Sequence, residues 1–241
     1  MSYTNGTLNG SHTLQSSAVN TNIDWSNIEE LGDMHIGTST ETPLRDDAFE
    51  KSDAEKIAVI EKHFRQIMST LGLDLTDDSL NGTPHRVAKM FVKEIFSGLN
   101  PDNKPKMTVF DNKFGYDQIL VEKNITLQST CEHHFLPIIG KAHVAYIPSG
   151  KVVGLSKLNR LVQYYSKRPQ VQERLNMQIA NELCKVLQTL DVAVIIDAEH
   201  ACVSTRGVHD IGSSTVTATY SGKFNDPKVR EELWRMIGSG E

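Results

Sequence analysis

The sequence predicts an α+β fold built around an antiparallel sheet. Strand-like segments come partly in adjacent pairs, whereas a doubly wound fold would place a helix after every strand. Two segments with apolar residues at every third or fourth position precede the first strands and predict helices. Hydrophobic residues make up 39% of the 241 residues and charged residues 23%, so the chain can build a packed core.

The first helix is predicted to follow Ser52, because Ser52 and Glu55 have the spacing of a capping box. Apolar residues then recur at helical spacing from Ile57 to Leu71, and Gly72 is expected to end the helix. This helix would therefore present one apolar face.

A second helix is predicted to begin at Thr83 and Pro84, as N-cap and first helical residue. Gly98 is expected to close it. Residues 99–117 are rich in Asn, Asp, Lys, Pro and Gly, which is typical of a loop.

The remaining elements follow from alternation, turn residues and helix-start signals. In chain order we predict strands at 119–127 and 138–147, a helix capped by Ser156, a helix that begins at Pro169, strands at 192–196 and 215–220, and a short helix at 227–237.

An acidic tail is predicted at residues 1–50. Its first 22 residues are mostly Ser, Thr, Asn and Gly, which cannot repay their ordering entropy alone, so we expect disorder. Eight acidic residues against one arginine give the tail a charge of −7, which leaves +2 for the rest of a chain whose total is −5. We therefore divide the chain into the tail, a helical region at 51–117, and a domain at 118–241 that carries the candidate site.

Several classes of protein are excluded by composition. A sequence pI near 6.0 argues against a broad nucleic-acid surface, and no apolar run reaches the 18 residues of a membrane span. The start of the chain has neither the apolar core of a secretory signal nor the arginines of a transit peptide. Three cysteines are too few, and odd in number, for a disulfide framework, so we expect a reducing compartment, the cytoplasm.

A cluster of potential metal ligands lies at Cys131-Glu132-His133-His134, directly after a predicted strand. Farther along the chain, His200 and Cys202 would point the same way if their segment alternates as a strand does. Cys131, one of the two adjacent histidines, and Cys202 would then form a three-ligand site. Three protein ligands and one open position are typical of catalytic zinc. The alternative is that these residues are ordinary buried or surface side chains.

Two further groups of polar residues could bind a ligand. Ser156, Lys157 and Arg160 open a predicted helix, where free N–H groups and cations suit a phosphate chain. Arg206 follows Cys202, and Arg86 lies in the second helix; each alone is more often a solvated charge. Glu173 lies in the first turn of a helix, where a carboxylate ordinarily complements the helix dipole, the alternative being that it accepts N–H donors from a ligand.

Four segments together resemble GTP cyclohydrolase type I, a zinc enzyme of pterin and folate synthesis. They occur in that family's order and cover roughly residues 52–237. The segments are TPHRVAKMF (83–91), STCEHHFLPIIGKAHVAYIP (129–148), VGLSKLNRLVQYYSKRPQVQERL (153–175) and HACVSTRG (200–207).

The resemblance implies a role for each candidate residue. The zinc ligands would be Cys131, His134 and Cys202, and the proton-transfer residues His133 and His200. The triphosphate would be bound by Arg86, Ser156, Lys157, Arg160 and Arg206, and the guanine by Gln172 and Glu173.

The resemblance also implies a fold, a reaction and an assembly. The fold would be a tunnelling fold, a four-stranded antiparallel sheet with helices on one face, preceded by a helical region. The reaction would be hydrolytic opening of the GTP imidazole ring at C8, with release of formate and rearrangement to 7,8-dihydroneopterin triphosphate, the first step of tetrahydrofolate and pterin synthesis. Zn²⁺ would be the cofactor, and the assembly a toroidal homodecamer with sites between subunits.

Two alternatives remain at this point. A related tunnelling-fold enzyme, the nitrile reductase of queuosine synthesis, would use a nucleophilic cysteine and a nicotinamide cofactor without zinc. A non-catalytic module with structural zinc would close its metal site with four protein ligands.

Overall fold

The computed structural model describes residues 39–238. Most of the predicted disordered tail lies outside these residues. Residues 39–50, which we assigned to the tail, include a turn at 46–50, and the carbonyl of Ser39 accepts a hydrogen bond from Arg174 Nε at 2.7 Å. Among residues 39–238, no helix combines the length and the apolar character needed to cross a bilayer.

The helical region begins with the predicted capping box. Ser52 accepts a hydrogen bond from the Glu55 amide, and the Glu55 carboxylate accepts one from the Ser52 amide. Within the first helix only Met68 is buried, while Ile67 and Leu71 of the predicted apolar face are exposed. The helices are α1 (Asp53–Thr70), α2 (Asp78–Asn81) and α3 (Thr83–Met90), and a π-helical turn (Phe91–Ile95) continues α3.

Two details of this region differ from the predictions. The N-cap of α3 is Gly82, so Thr83 is already helical. Residues 99–117 are more than a loop, because they contain the 3₁₀ turn Pro101–Asn103 and a short strand, Val109–Asp111. Gly98 lies in another 3₁₀ turn, where a Cβ would meet the carbonyl oxygen of Tyr164 at 2.0 Å. The helical region therefore approaches the rest of the fold through backbone that admits only glycine.

The main sheet has five strands, which are β2 (Leu120–Cys131), β3 (Pro137–Tyr146), β5 (Pro169–Gln170), β6 (Val192–His200) and β7 (Thr215–Tyr220). Their order in the sheet is β5-β2-β3-β6-β7. Neighbouring strands are antiparallel except for the two-residue β5, which runs parallel to β2. The predicted four-stranded antiparallel sheet is thus present, with β5 added at one edge. Two short strands, β1 (Val109–Asp111) and β4 (Lys151–Val153), pair with each other in a separate sheet.

Helices cover one face of the sheet, as expected, and part of the other. The helices α4 (Leu155–Ser166) and α5 (Gln172–Leu187) bury the main core, whereas α7 (Pro227–Gly238) packs with Phe224 over Ala145 and Ile195 on the opposite face. Successive residues of a strand point to opposite faces, which is why the two cores use alternate positions of the same strands.

Two predicted helix starts were wrong. Gly154, rather than Ser156, is the N-cap of α4, and Ser156 is the second helical residue. Pro169 does not begin α5, because Pro169 and Gln170 form β5 and the N-cap is Val171. The pairing of Cys131 with Gln170 draws this segment into the sheet before the helix can begin.

Strand register brings the chemical motifs to one end of the sheet. The strand β3 lies between β2 and β6, where Thr130 pairs with Pro137 and Ile138 pairs with His200. Cys131 and His200 are the last residues of their strands. The two motifs, distant in sequence, therefore meet at the same edge.

Candidate metal centre and active site

Three side chains converge as a metal site would require. One ligand atom each from Cys131, His134 and Cys202 lies within 4.8 Å of the others. Cys131 is buried, Cys202 is partly buried and His134 is exposed. The cluster therefore lies at the surface, with Cys131 as its innermost ligand. Two thiolates and an imidazole are ligands that zinc favours, so the donor set fits Zn²⁺.

A tight turn after β2 presents the two adjacent histidines. The amide of Phe135 donates to the Cys131 carbonyl at 2.9 Å, and the amide of Cys131 donates to the Leu136 carbonyl at 2.8 Å. Phe135 has a φ of 55°, a left-handed conformation that is uncommon for a bulky residue. Its ring packs 5.0 Å from the ring of Phe96 and 6.5 Å from that of Phe91. These aromatic contacts hold the turn in a conformation that its backbone alone would disfavour.

Cys202 reaches the cluster from a helix. His200 ends β6, and Cys202 lies in the short helix α6 (Ala201–Ser204). The predicted alignment of His200 with Cys202 by strand alternation is therefore wrong, although Cys202 does join the cluster.

The Cys202 thiol resists ionisation in the absence of a cation. Burial raises the pKa of the Cys202 thiol, and the neighbouring Cys131 raises it further by charge repulsion and hydrogen bonding. Arg206 acts in the opposite direction on the same thiol. A divalent cation would remove the repulsion and stabilise both thiolates, which is a physical reason to regard this cluster as a metal site.

Arg206 contacts the histidine of the cluster. Its Nη1 lies 2.9 Å from His134 Nε2. A guanidinium group only donates hydrogen bonds, so Nε2 is the acceptor. One lone pair cannot serve a guanidinium and a metal at once, and ligation through Nε2 would require Arg206 to turn away.

His133 lies beside the cluster but is not grouped with it. Its Nδ1 is 3.7 Å from Cys131 Sγ and its Nε2 is 3.8 Å from a carboxylate oxygen of Glu132. The spacing alone left either adjacent histidine as the ligand, and the structure groups His134 with the cysteines.

His200 is held by the start of α5. Its Nε2 lies 2.8 Å from Gln172 Oε1. Burial lowers the pKa of His200, and the charge of Glu173 opposes that shift. Gln172 is only 2% exposed, whereas Glu173 is exposed. Of the two residues expected at the guanine, only Glu173 presents its side chain to solvent.

The cationic residues are dispersed. Ser156, Lys157 and Arg160 lie in the first half of α4, and Arg160 lines a surface cavity of about 350 Å³ together with Ser97, Asn103 and Lys167. Arg206 reaches the metal cluster.

Arg86 instead donates to Thr83 Oγ1 and to the Ser79 carbonyl within the helical region.

An ion pair between buried Arg174 and partly buried Glu132, which the sequence did not predict, lies next to the metal cluster. Arg174 is 2% exposed, and its two terminal nitrogens donate to the two carboxylate oxygens of Glu132, between Cys131 and His133. No local signal identifies this pair, because the partners lie on different elements and a charged residue in a helix is usually exposed.

Replacing Arg174 with methionine should destabilise the fold. It would leave the Glu132 carboxylate, which is 20% exposed, without its partner. Removing one member of a fully buried pair costs about 3 kcal/mol or more, so we expect a loss of about 2 kcal/mol here. Urea unfolding of the metal-free protein measures this. Arg235→Met is the matched control, since Arg235 pairs with Glu231 on an exposed surface, where loss costs about 0.5 kcal/mol. Equal losses in the two variants would contradict the structural role of Arg174.

Known proteins resemble this chain over most of its length. A family model described as GTP cyclohydrolase I matches residues 60–238. A protein of Flavobacterium johnsoniae named GTP cyclohydrolase 1 is 62% identical over 210 residues, which cover 87% of this chain and 94% of that protein. A protein of the same name from Aeromonas salmonicida is 55% identical over 80% of this chain and 88% of its own. One from Escherichia coli is 49% identical over 84% and 91%.

Proposed function

The chain belongs to the GTP cyclohydrolase I family, and from that membership we propose that it opens the imidazole ring of GTP by hydrolysis at C8. Formate is released, and the remainder rearranges to 7,8-dihydroneopterin triphosphate, at the entry to tetrahydrofolate and pterin synthesis. The observation that carries the proposal is the convergence of Cys131, His134 and Cys202, with His133 beside Cys131 and His200 at the end of β6.

Cys131, His134 and Cys202 would hold Zn²⁺. Zinc bound there would activate water at neutral pH, because the metal lowers the pKa of a bound water far below that of bulk water. Thiolate ligands must be reduced, and all three cysteines of the chain are free thiols. We therefore place the enzyme in the cytoplasm, where thiols stay reduced.

The two remaining histidines would move protons. His133 is not grouped with the ligand cluster and is exposed, so we assign it to the ring nitrogen whose bond to C8 breaks. His200 assists from the opposite motif. Imidazole suits both tasks, because its ordinary pKa lies near the working pH.

Substrate recognition would divide between two helices. Glu173 opens α5 and is exposed, so its carboxylate can accept two N–H groups of the guanine. Ser156, Lys157 and Arg160 at the start of α4, with Arg206, would bind the triphosphate. No redox cofactor is needed.

Assembly of several subunits would explain how Arg86 reaches a triphosphate. Its hydrogen bonds lie within its own helical region, so we propose that it serves the triphosphate of a neighbouring subunit in a toroidal homodecamer. Exposed Ile67 in α1 and exposed Leu71 at its C-cap support burial of this helix between subunits.

Glu173→Gln should weaken GTP binding. The amide keeps one acceptor but loses the charge and places an N–H opposite the guanine donors, so the KM for GTP should rise about 10-fold or more, while zinc content stays unchanged. Steady-state kinetics measures this. The matched control is Glu182→Gln, on the same helix but paired with Lys104. An unchanged KM for GTP in Glu173→Gln would show that Glu173 does not bind the guanine.

The proposed function is tested by incubating zinc-loaded protein with GTP, oxidising the products, and measuring neopterin fluorescence and formate. Release of both in equal amounts supports the proposal. A metal-replete protein that releases neither overturns it. A parallel assay with NADPH and a nitrile-bearing deazaguanine tests the reductase alternative, and oxidation of NADPH there would also overturn the proposal.

A further inference from the structure

The amide side chain of Gln172 is enclosed by hydrogen-bond partners. Its nitrogen lies 3.1 Å from the Ile196 carbonyl, 2.8 Å from the Thr215 carbonyl and 3.0 Å from Thr217 Oγ1. Its oxygen lies 2.8 Å from His200 Nε2. With only 2% of the residue exposed, the side chain has no room to turn toward solvent.

These neighbours fix which end of the amide faces His200. Backbone carbonyls accept hydrogen bonds and never donate, so the NH₂ group must face Ile196 and Thr215. The reverse orientation would bring the amide oxygen within about 3 Å of two carbonyl oxygens and remove the donor that both carbonyls share. The oxygen of Gln172 therefore points at the histidine.

An amide oxygen only accepts, so His200 Nε2 must carry the hydrogen of this bond. A neutral imidazole has one donor and one acceptor nitrogen, which leaves Nδ1 with the free lone pair. Resting on the proposed function, we propose that Gln172 is a positioning residue that fixes His200 in the Nε2–H tautomer, so that the free lone pair of the ring lies on Nδ1.

The same contacts give the edge strand a role. The acceptors that orient Gln172 belong to the end of β6 and to β7, and Thr217 Oγ1 also accepts a hydrogen bond from Asn176 at 2.7 Å. The strand β7 carries none of the expected site residues, yet it sets the tautomer of His200 through Gln172. In this arrangement the Gln172 side chain acts on the histidine, and recognition of guanine is left to Glu173.

The tautomer can be read directly by solid-state ¹⁵N NMR of the full-length, zinc-loaded protein labelled at histidine. A His200→Asn variant identifies the His200 signals by their loss. We expect a protonated-type shift at Nε2 and an unprotonated-type shift at Nδ1. A hydrogen on Nδ1 with a bare Nε2 overturns the proposal, and this measurement needs neither activity nor a Gln172 variant.

Gln172→Met tests the consequence for turnover. Methionine has similar bulk but cannot fix the tautomer, so kcat should fall about 10- to 100-fold while the KM for GTP is retained. Gln178→Met is the matched control, because Gln178 is also buried on α5 but contacts Gln170 and residues 41–42.

Three outcomes of the variant experiment count against the proposal. A raised KM with unchanged kcat would make Gln172 a guanine contact, an equal loss of kcat in Gln178→Met would make the effect one of packing, and an unchanged kcat would remove the role altogether. If the unmutated protein releases no neopterin, the proposed function fails, while the NMR measurement still decides the tautomer.

Discussion

Replacing Cys202 with alanine is expected to abolish zinc binding and, with it, the release of formate from GTP. The cluster provides three ligand atoms, and removing one thiolate leaves Cys131 and His134, too few for a stable zinc site. We expect zinc to fall from about one ion per chain to near zero, and turnover to fall at least about 1,000-fold, which corresponds to roughly 4 kcal/mol of transition-state stabilisation. Cys131→Ala should behave in the same way.

The measurement is metal analysis after gel filtration, paired with the neopterin assay. Cys184→Ala is the matched control, because this thiol packs against the main core and lies outside the cluster. It should retain both zinc and activity. A Cys202→Ala protein that keeps its zinc would show that the metal is bound at another site.

The second large effect separates the adjacent histidines. His133→Ala should keep the metal, because His133 is not in the ligand cluster, but should lose about 10²- to 10⁴-fold in turnover, the usual contribution of a positioned acid or base. His134→Ala should lose the metal.

Metal content decides between the two roles without reference to rate. Zinc loss in His133→Ala, with retention in His134→Ala, would mean that the assignments are exchanged. Both residues are exposed and neither belongs to the core, so we expect both variants to fold. Circular dichroism of the two variants checks that loss of metal or turnover is not caused by unfolding.

The elements that the sequence predicted well have local causes. The capping box of Ser52 and Glu55 determines the start of α1 through contacts three residues apart. The long strands β2 and β3 show alternation over enough residues to be recognised. Patterns of this kind need no knowledge of the rest of the fold.

Short strands were missed because their cause is a partner elsewhere in the chain. The three-residue strands β1 and β4 are too brief for alternation, and they exist because they pair with each other. Pro169 is a plausible helix start by local rules, but pairing beside Cys131 extends its segment instead.

The site divides in the same way. Cysteine and histidine are recognisable as ligands from residue type and spacing, whereas the roles of Gln172 and Arg174 depend on partners far away in sequence. The carbonyls of β6 and β7 orient Gln172, and the carboxylate of Glu132 pairs with the guanidinium of Arg174. A glutamine and an arginine in the first turn of a helix give no local sign of either contact.

The meeting of the β2 and β6 ends has a thermodynamic consequence. Cys131 and His134 join Cys202 only when β3 pairs with both neighbouring strands, so the unfolded chain lacks the assembled site. Zinc would then bind the native state preferentially and stabilise it by mass action, adding about 1.4 kcal/mol for each tenfold rise in free zinc above the dissociation constant. Metal supply would thereby set the folded fraction of the chain, and hence its survival against proteases, as well as its turnover.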